Sequence, residues 1–189
     1  MPNLIEDFIG SLGPEVSQKL SKKTNLDEET IQNLLPVVMP MILGGLKKQK
    51  DERGGEARVD HILNKYGSSS VLDNMDGLFD DKLKDDSTDP NLGGLLGNAG
   101  TDVVSHLTSN FKMDSGTAAK LIPMLAPIVL GFLTKKRDAG TGSSGLASLL
   151  DQDGDGSVLD DVTGMLLGGG KSSNPLGNIL GGLLGGKTN

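Results

Sequence analysis

Leu34-Leu35-Pro36-Val37-Val38-Met39-Pro40-Met41-Ile42-Leu43-Gly44-Gly45-Leu46 is followed, 87 residues later, by Leu121-Ile122-Pro123-Met124-Leu125-Ala126-Pro127-Ile128-Val129-Leu130-Gly131-Phe132-Leu133. Each stretch is apolar on nearly every side. That marks a central buried helix rather than a surface helix with one apolar stripe. Pro36 and Pro40 lie one turn apart, and each removes a backbone donor and crowds the preceding turn, so the helix is expected to kink or restart near residue 36.

The register extends outward from these stretches. Asp27 falls on Asp114 and Lys48 on Lys135, and without a gap Ser70-Val71-Leu72-Asp73 falls on Ser157-Val158-Leu159-Asp160 and Gly77 on Gly164. Between 10–83 and 97–170, roughly 22 of 74 positions are identical. A fixed offset of this length indicates a tandem duplication. The polar, Pro-terminated run Asp85-Asp86-Ser87-Thr88-Asp89-Pro90 reads as the linker. Two helical units are expected, 1–86 and 87–171, followed by a Gly/Leu-rich tail, 172–189. The tail's Asn178-Ile179-Leu180-Gly181-Gly182-Leu183-Leu184-Gly185 echoes Pro90 to Gly97, as if opening a third copy.

Local signals place helices in each unit. Pro14-Glu15-Val16 is read as a helix start, with Val16 and Leu20 on one face. Asn25 and Leu26 turn the chain, Asp27 is the expected N-cap, and Glu28-Glu29 suit the positive helix start. Lys47, Lys48, Lys50 and Arg53, and in the second unit Lys135, Lys136 and Arg137, sit where cations stabilise a helix C-terminus; the competing reading makes them anion-binding patches. Strand-like alternation is nearly absent, so the expected fold class is all-α.

Composition removes several functions. The chain has 189 residues, a formal charge of −7, no Cys, no Trp, one Tyr and two His. Disulfides, thiolate metal sites and Cys nucleophiles are excluded. The acidic balance argues against nucleic acid and membrane partners, which require a basic field. Glycine, 28 residues, is roughly twice ordinary usage, so turns and caps should be frequent. The first residues lack the pattern of a secretory signal, and the two apolar runs fall short of the ~20 residues of a membrane span, so a soluble, cytoplasmic protein is expected.

The sharpest chemical motif is Asp151-Gln152-Asp153-Gly154-Asp155-Gly156-Ser157-Val158. It resembles the first eight positions of an EF-hand or dockerin-type loop. Asp151, Asp153 and Asp155 would converge on calcium, Gly156 would allow the turn, and Ser157 would offer its backbone carbonyl. Position 12 is Val162 rather than an acid. Asp160 matches Asp73 of the first unit, where the loop Asn64-Lys65-Tyr66-Gly67-Ser68-Ser69 lacks acids. Ser70-x-x-Asp73 and Ser157-x-x-Asp160 therefore read as capping boxes, which leaves Asp161 as the closing ligand. The alternative is a bare polar turn without an ion. A displaced last ligand implies weak calcium affinity.

Two further classes are weaker. Residues 16–34 have helix-turn-helix spacing, but a recognition helix that opens Asp-Glu-Glu and continues into Leu34-Leu35 suits packing better than DNA. His61 and His106 occupy unrelated positions of the two units and form no acid–base constellation, so no enzyme is expected. The role expected instead is interaction with another protein or self-association. Pro-x-x-x-Pro-x-x-Leu-Gly, with the second unit's Asp151 to Gly164, resembles the bacterial YidB-like family, domain of unknown function 937. That resemblance implies a compact multi-helical fold and bacterial origin, and it supplies no catalytic residues.

Overall fold

The computed structural model describes residues 4–85, 89, 92, 94–95 and 99–141. Contacts divide the chain into two units, Met1–Leu150 and Asp151–Asn189, and every described element belongs to the first. These elements are α1 (Leu4–Lys23), α2 (Glu28–Arg53), α3 (Gly55–Tyr66), a 3-10 turn (Ser69–Asp73), α4 (Met75–Lys84), α5 (Ala99–Asn110), α6 (Ser115–Lys136) and a π-helical turn (Arg137–Thr141). Among the described residues there is no strand, and the fold is all-α.

Helices α2 and α6 form the core. α2 packs against α1, α3, α5 and α6, and α6 packs against α3, α4, α5 and the 3-10 turn. Both need cover on several sides because Leu34, Leu35, Val38, Met39, Ile42, Leu43 and Leu46 of α2 are all buried, as is nearly all of α6 from Leu121 to Leu133. Burying such side chains contributes about 1.5–3 kcal/mol each, which is what holds so many short helices around two long ones. α5 packs against α2, and α6 against α2, α3 and α4, so helices on either side of residues 85–90 share one core.

α2 is one helix of 26 residues with Pro36 and Pro40 inside it. The expected restart near residue 36 does not divide it, since burial on both sides of the prolines outweighs the lost backbone bonds. α1 likewise begins at Leu4 and carries Pro14 internally, instead of opening there. Its first turns are held by Leu4, Ile5 and Phe8, and the Phe8 ring meets that of Phe132 edge-on at 5.3 Å between centroids. Periodicity around Val16 and Leu20 did not expose this earlier anchor.

Caps recur at the 87-residue spacing. The Thr30 N–H donates to Asp27 Oδ1 at 2.7 Å, and the Thr117 N–H to Asp114 Oδ1 at 2.8 Å. α1 ends at Lys23 and α5 at Asn110; Thr24 N–H donates to Leu20 O, and Phe111 N–H to Leu107 O. The expected capping box Ser70–Asp73 is not formed. The 3-10 turn takes that stretch, and Asn74 caps α4 by accepting from the Gly77 N–H at 3.3 Å.

Both cap carboxyls lie below the usual aspartate range, Asp27 through the Thr30 backbone N–H and hydroxyl, Asp114 through the Thr117 side chain and backbone. Depressed carboxyls contribute stability that is present above the unfolded pKa and lost as pH falls through the folded one. Asp114→Ala should lower Tm at pH 7, and Asp114→Asn should keep most of it because the amide also caps. Thermal melts from pH 7 to pH 3 should show a shallower acid loss for Asp114→Asn than for the wild type. Parallel curves would remove this cap from the acid response.

Candidate functional site: the faces of the two proline-bearing helices

On α6, a turn of chain is pressed against the helix backbone. A Cβ placed on Gly67 would lie 2.7 Å from Leu130 O and 2.8 Å from Thr134 Oγ1, and one on Gly131 would lie 2.9 Å from Ser68 O. Two glycines therefore allow backbone to meet backbone, a distance that no side chain permits. Leu72 of the 3-10 turn closes over the same spot, its Cδ2 3.7 Å from that built Cβ. Pro123, Met124, Ile128, Gly131 and Thr134 of α6 are all buried, and the Thr134 hydroxyl donates back to Leu130 O at 3.0 Å.

A polar clamp lies at the end of this seat. Arg137 donates to Asp60 Oδ1 at 3.1 Å and to Asn64 Oδ1 at 2.9 Å, which ties the end of α6 to α3. Across the unit, Lys136 pairs with Asp7, and the Gln49 amide donates to Gly94 O at 3.2 Å. These last two contacts are equivalents, because 136 and 49, like 94 and 7, differ by 87.

On α2, the residues at the matching positions are less covered. Pro36, Val37, Met41, Gly44 and Lys47 are half-buried where their equivalents on α6 are buried. Among the described residues nothing lies within 4 Å of a Cβ built on Gly44. The result is a half-open apolar stripe bordered by Lys47 and Lys50.

The charged helix ends are engaged with neighbours. Lys47 pairs with Asp51 at 2.6 Å, and Lys48 reaches Glu52 at 4.0 Å. Lys19 and Lys23 bind Asp76 and Asp80 at 2.5 and 2.6 Å, joining α1 to α4. The Lys19 hydrogen bond holds the Asp76 carboxyl below its ordinary range and raises the Lys19 ammonium. Where α1 turns into α2, the exposed residues of α2's first turns are Glu28, Glu29, Gln32 and Asn33, none of them a cation. His61 and His106 are both exposed, and His106 Nδ1 lies 3.2 Å from the Asn110 amide. No group of three or more His, Asp or Glu converges among the described residues. Asp151, Asp153, Asp155, Ser157 and Asp161 lie outside the described residues. So does the tail 172–189. Among the described residues one segment, Ser115–Ala139, is long and apolar enough to cross a membrane by length and composition, and 67% of its most apolar window is buried inside the protein.

Sequence reasoning found the two proline helices, their caps and their cationic ends. It missed the glycine seat, although Gly67 and Gly131 were both visible, because only folding brings residues 64 positions apart into contact.

The class this defines is an all-α protein in which two core helices, each carrying two internal prolines, are covered by the other described helices. The chain belongs to the bacterial family of proteins of unknown function DUF937, whose sequence pattern matches residues 6–136 and again 134–189. No curated protein and no solved structure matches it.

Gly67→Ala should cost about 1–3 kcal/mol, the usual range for overpacking, because Leu130 O is backbone and cannot swing aside. Gly10→Ala, on an exposed turn of α1 with nothing within 4 Å, should instead stabilise by about 0.5–1 kcal/mol. Chemical denaturation of both variants checks the pair; equal effects would mean that the seat is not tightly packed.

Proposed function

We propose that this is a non-enzymatic protein that works through contacts with another protein or with a second copy of itself, and that it carries a weak calcium site at Asp151, Asp153, Asp155, Ser157 and Asp161. The way its charged groups are used supports the first part. Lys19, Lys23, Lys47, Lys136 and Arg137 are committed to carboxylates on neighbouring turns or helices. Every buried side-chain N or O atom among the described residues has a hydrogen-bond partner. Polar chemistry of this kind joins helices; it does not aim groups at a substrate.

The same reading extends the 87-residue offset to the rest of the chain. The buried residues Val59, Ile62, Leu63, Met75 and Phe79 correspond to Leu146, Leu149, Leu150, Val162 and Leu166, each apolar. That supports two copies of one helical unit, 1–86 and 87–171, with 172–189 as an appendage. Asn74, which caps α4, corresponds to Asp161. An acid there can cap a helix and still turn a second oxygen towards a cation.

Thermal melts with calcium, magnesium or chelator test the metal. A cation bound only by the folded chain raises Tm, by RT ln(1 + [L]/Kd) in free energy. Calcium at several millimolar should raise Tm of the wild type and not of Asp153→Ala. No shift with either protein would leave Asp151 to Asp155 as a bare polar turn. The competing class, a DNA-binding helix-turn-helix in residues 16–34, requires retention on duplex DNA that falls steeply with salt.

A further inference from the structure

The described helices fall into two groups, each packed within itself. α1 and α2 form one hairpin, and α3, the 3-10 turn, α4 and α5 are all gathered on α6. Between the groups run the contacts of α2 with α3, α5 and α6, and of α1 with α4. Along the described elements the chain passes from one group to the other once, through Gly54 and Gly55, where α2 ends at Arg53 and α3 begins. Both glycines hold positive φ, +132° and +65°. Space is not what requires them. Among the described residues a Cβ on Gly55 would meet nothing within 4 Å, and one on Gly54 only Arg58 Cβ at an ordinary 3.5 Å. The backbone conformation requires them, because residues with a side chain avoid that region.

We infer that Gly54-Gly55 is a hinge, and that straightening it lets the α1–α2 hairpin of one chain take the place of the same hairpin in a second copy. The inference rests on the self-association proposed above and gives it a form: two chains that trade hairpins and rebuild the same core.

Three observations carry it. Good helix formers stand on both sides of the joint, Glu52-Arg53 before it and Glu56-Ala57-Arg58 after it, and the Gly54 N–H already donates to Lys50 O as a helical residue would. A right-handed conformation at two residues is therefore enough to join α2 and α3 into one helix. The joint is also short, and a tight turn that cannot relax without opening the fold is the kind of connection through which elements are exchanged. Lastly, the contacts between the groups can all be remade between two chains. Lys19 with Asp76, Lys23 with Asp80, Lys136 with Asp7, the Gln49 amide with Gly94 O and the Phe8–Phe132 ring contact each join one side of the joint to the other. Arg137 with Asp60, and Gly67 against Leu130, stay within one chain in either form. Apart from the lost freedom of the second chain, the two forms differ chiefly at the joint. Glycine there favours the closed form, since it accepts positive φ without strain and is a poor residue inside a helix.

Gly54→Ala combined with Gly55→Ala tests the hinge, because alanine penalises the turn and favours the helix at both positions. By analytical ultracentrifugation the double variant should dimerise at least about 100-fold more tightly than the wild type. A carbodiimide then joins ion-paired lysine and aspartate as amides, and peptide mapping reads which chain holds each partner. Isotope-labelled and unlabelled chains are unfolded together, refolded and cross-linked. In the dimer, the Lys19–Asp76 and Asp7–Lys136 peptides should carry one labelled and one unlabelled half. A double variant that associates no more tightly than the wild type overturns the proposal. So does a dimer in which both links lie within single chains, since that is face-to-face association without exchange. If the double variant does not fold, the wild type decides. Refolded at high concentration it should give interchain links that are absent after dilute refolding, and links confined to single chains at both concentrations overturn the hinge. A wild type that self-associates while its links stay within single chains keeps the self-association reading and sinks this one. A wild type that remains monomeric beside an exchanged double variant does the reverse.

Discussion

The fold depends on backbone meeting backbone between Gly67-Ser68 and Leu130-Gly131. Helices α2 and α6 are apolar on almost every side, and a helix of that kind has no stable solvent-facing surface. Neighbouring helices cover much of α6, and the turn Gly67 to Asp73 covers it at Leu130, Gly131 and Thr134. A short turn can cover that stretch only by lying flat on it. Lying flat requires that neither chain carry a Cβ at the point of contact, because 2.7–2.9 Å is shorter than any side-chain carbon tolerates. Once the turn is down, Leu72 extends the apolar cover and Arg137 ties the end of the helix to Asp60 and Asn64.

Much of this was legible in the residues, for identifiable physical reasons. An N-cap is a local event, so Asp27 and Asp114 could be named from their neighbours, and both accept from the N–H three residues on. All-round apolarity identified the core helices directly. The failures were cases in which tertiary burial overrode a local rule. Pro14 is a natural helix start in isolation, but Leu4, Ile5 and Phe8 have buried places to fill and draw the helix ten residues further back. Pro36 allows a kink or a restart from the sequence alone, and α2 continues through it without a restart, with Leu34, Leu35, Val38 and Met39 around it buried. Ser70 and Asp73 have capping-box spacing, but the need to lie against α6 makes their segment a 3-10 turn and passes the cap to Asn74.

The candidate site divides differently. Its ionic parts were visible as clusters of lysine at helix ends, and the dipole explanation of them is joined in the structure by specific pairs such as Lys47 with Asp51 and Lys136 with Asp7. Exposed pairs of this kind contribute about 0–1 kcal/mol each, so they set orientation more than stability. The glycine contact was not visible, because nothing in a single stretch of sequence says which of many glycines will face another chain segment. Only the partner's position makes Gly131 different from Gly10.

That difference bears on the composition of the loop after α3. The segment Asn64 to Ser69 is neutral apart from Lys65, and it meets Thr134, a neutral side chain, with Arg137 donating to the Asn64 amide oxygen. At the fixed offset of 87, Asp151, Asp153 and Asp155 stand where the earlier stretch has Asn64, Tyr66 and Ser68. Neutral side chains suit a turn pressed against the Leu130 carbonyl and the Thr134 hydroxyl, because both of those groups present oxygen to it.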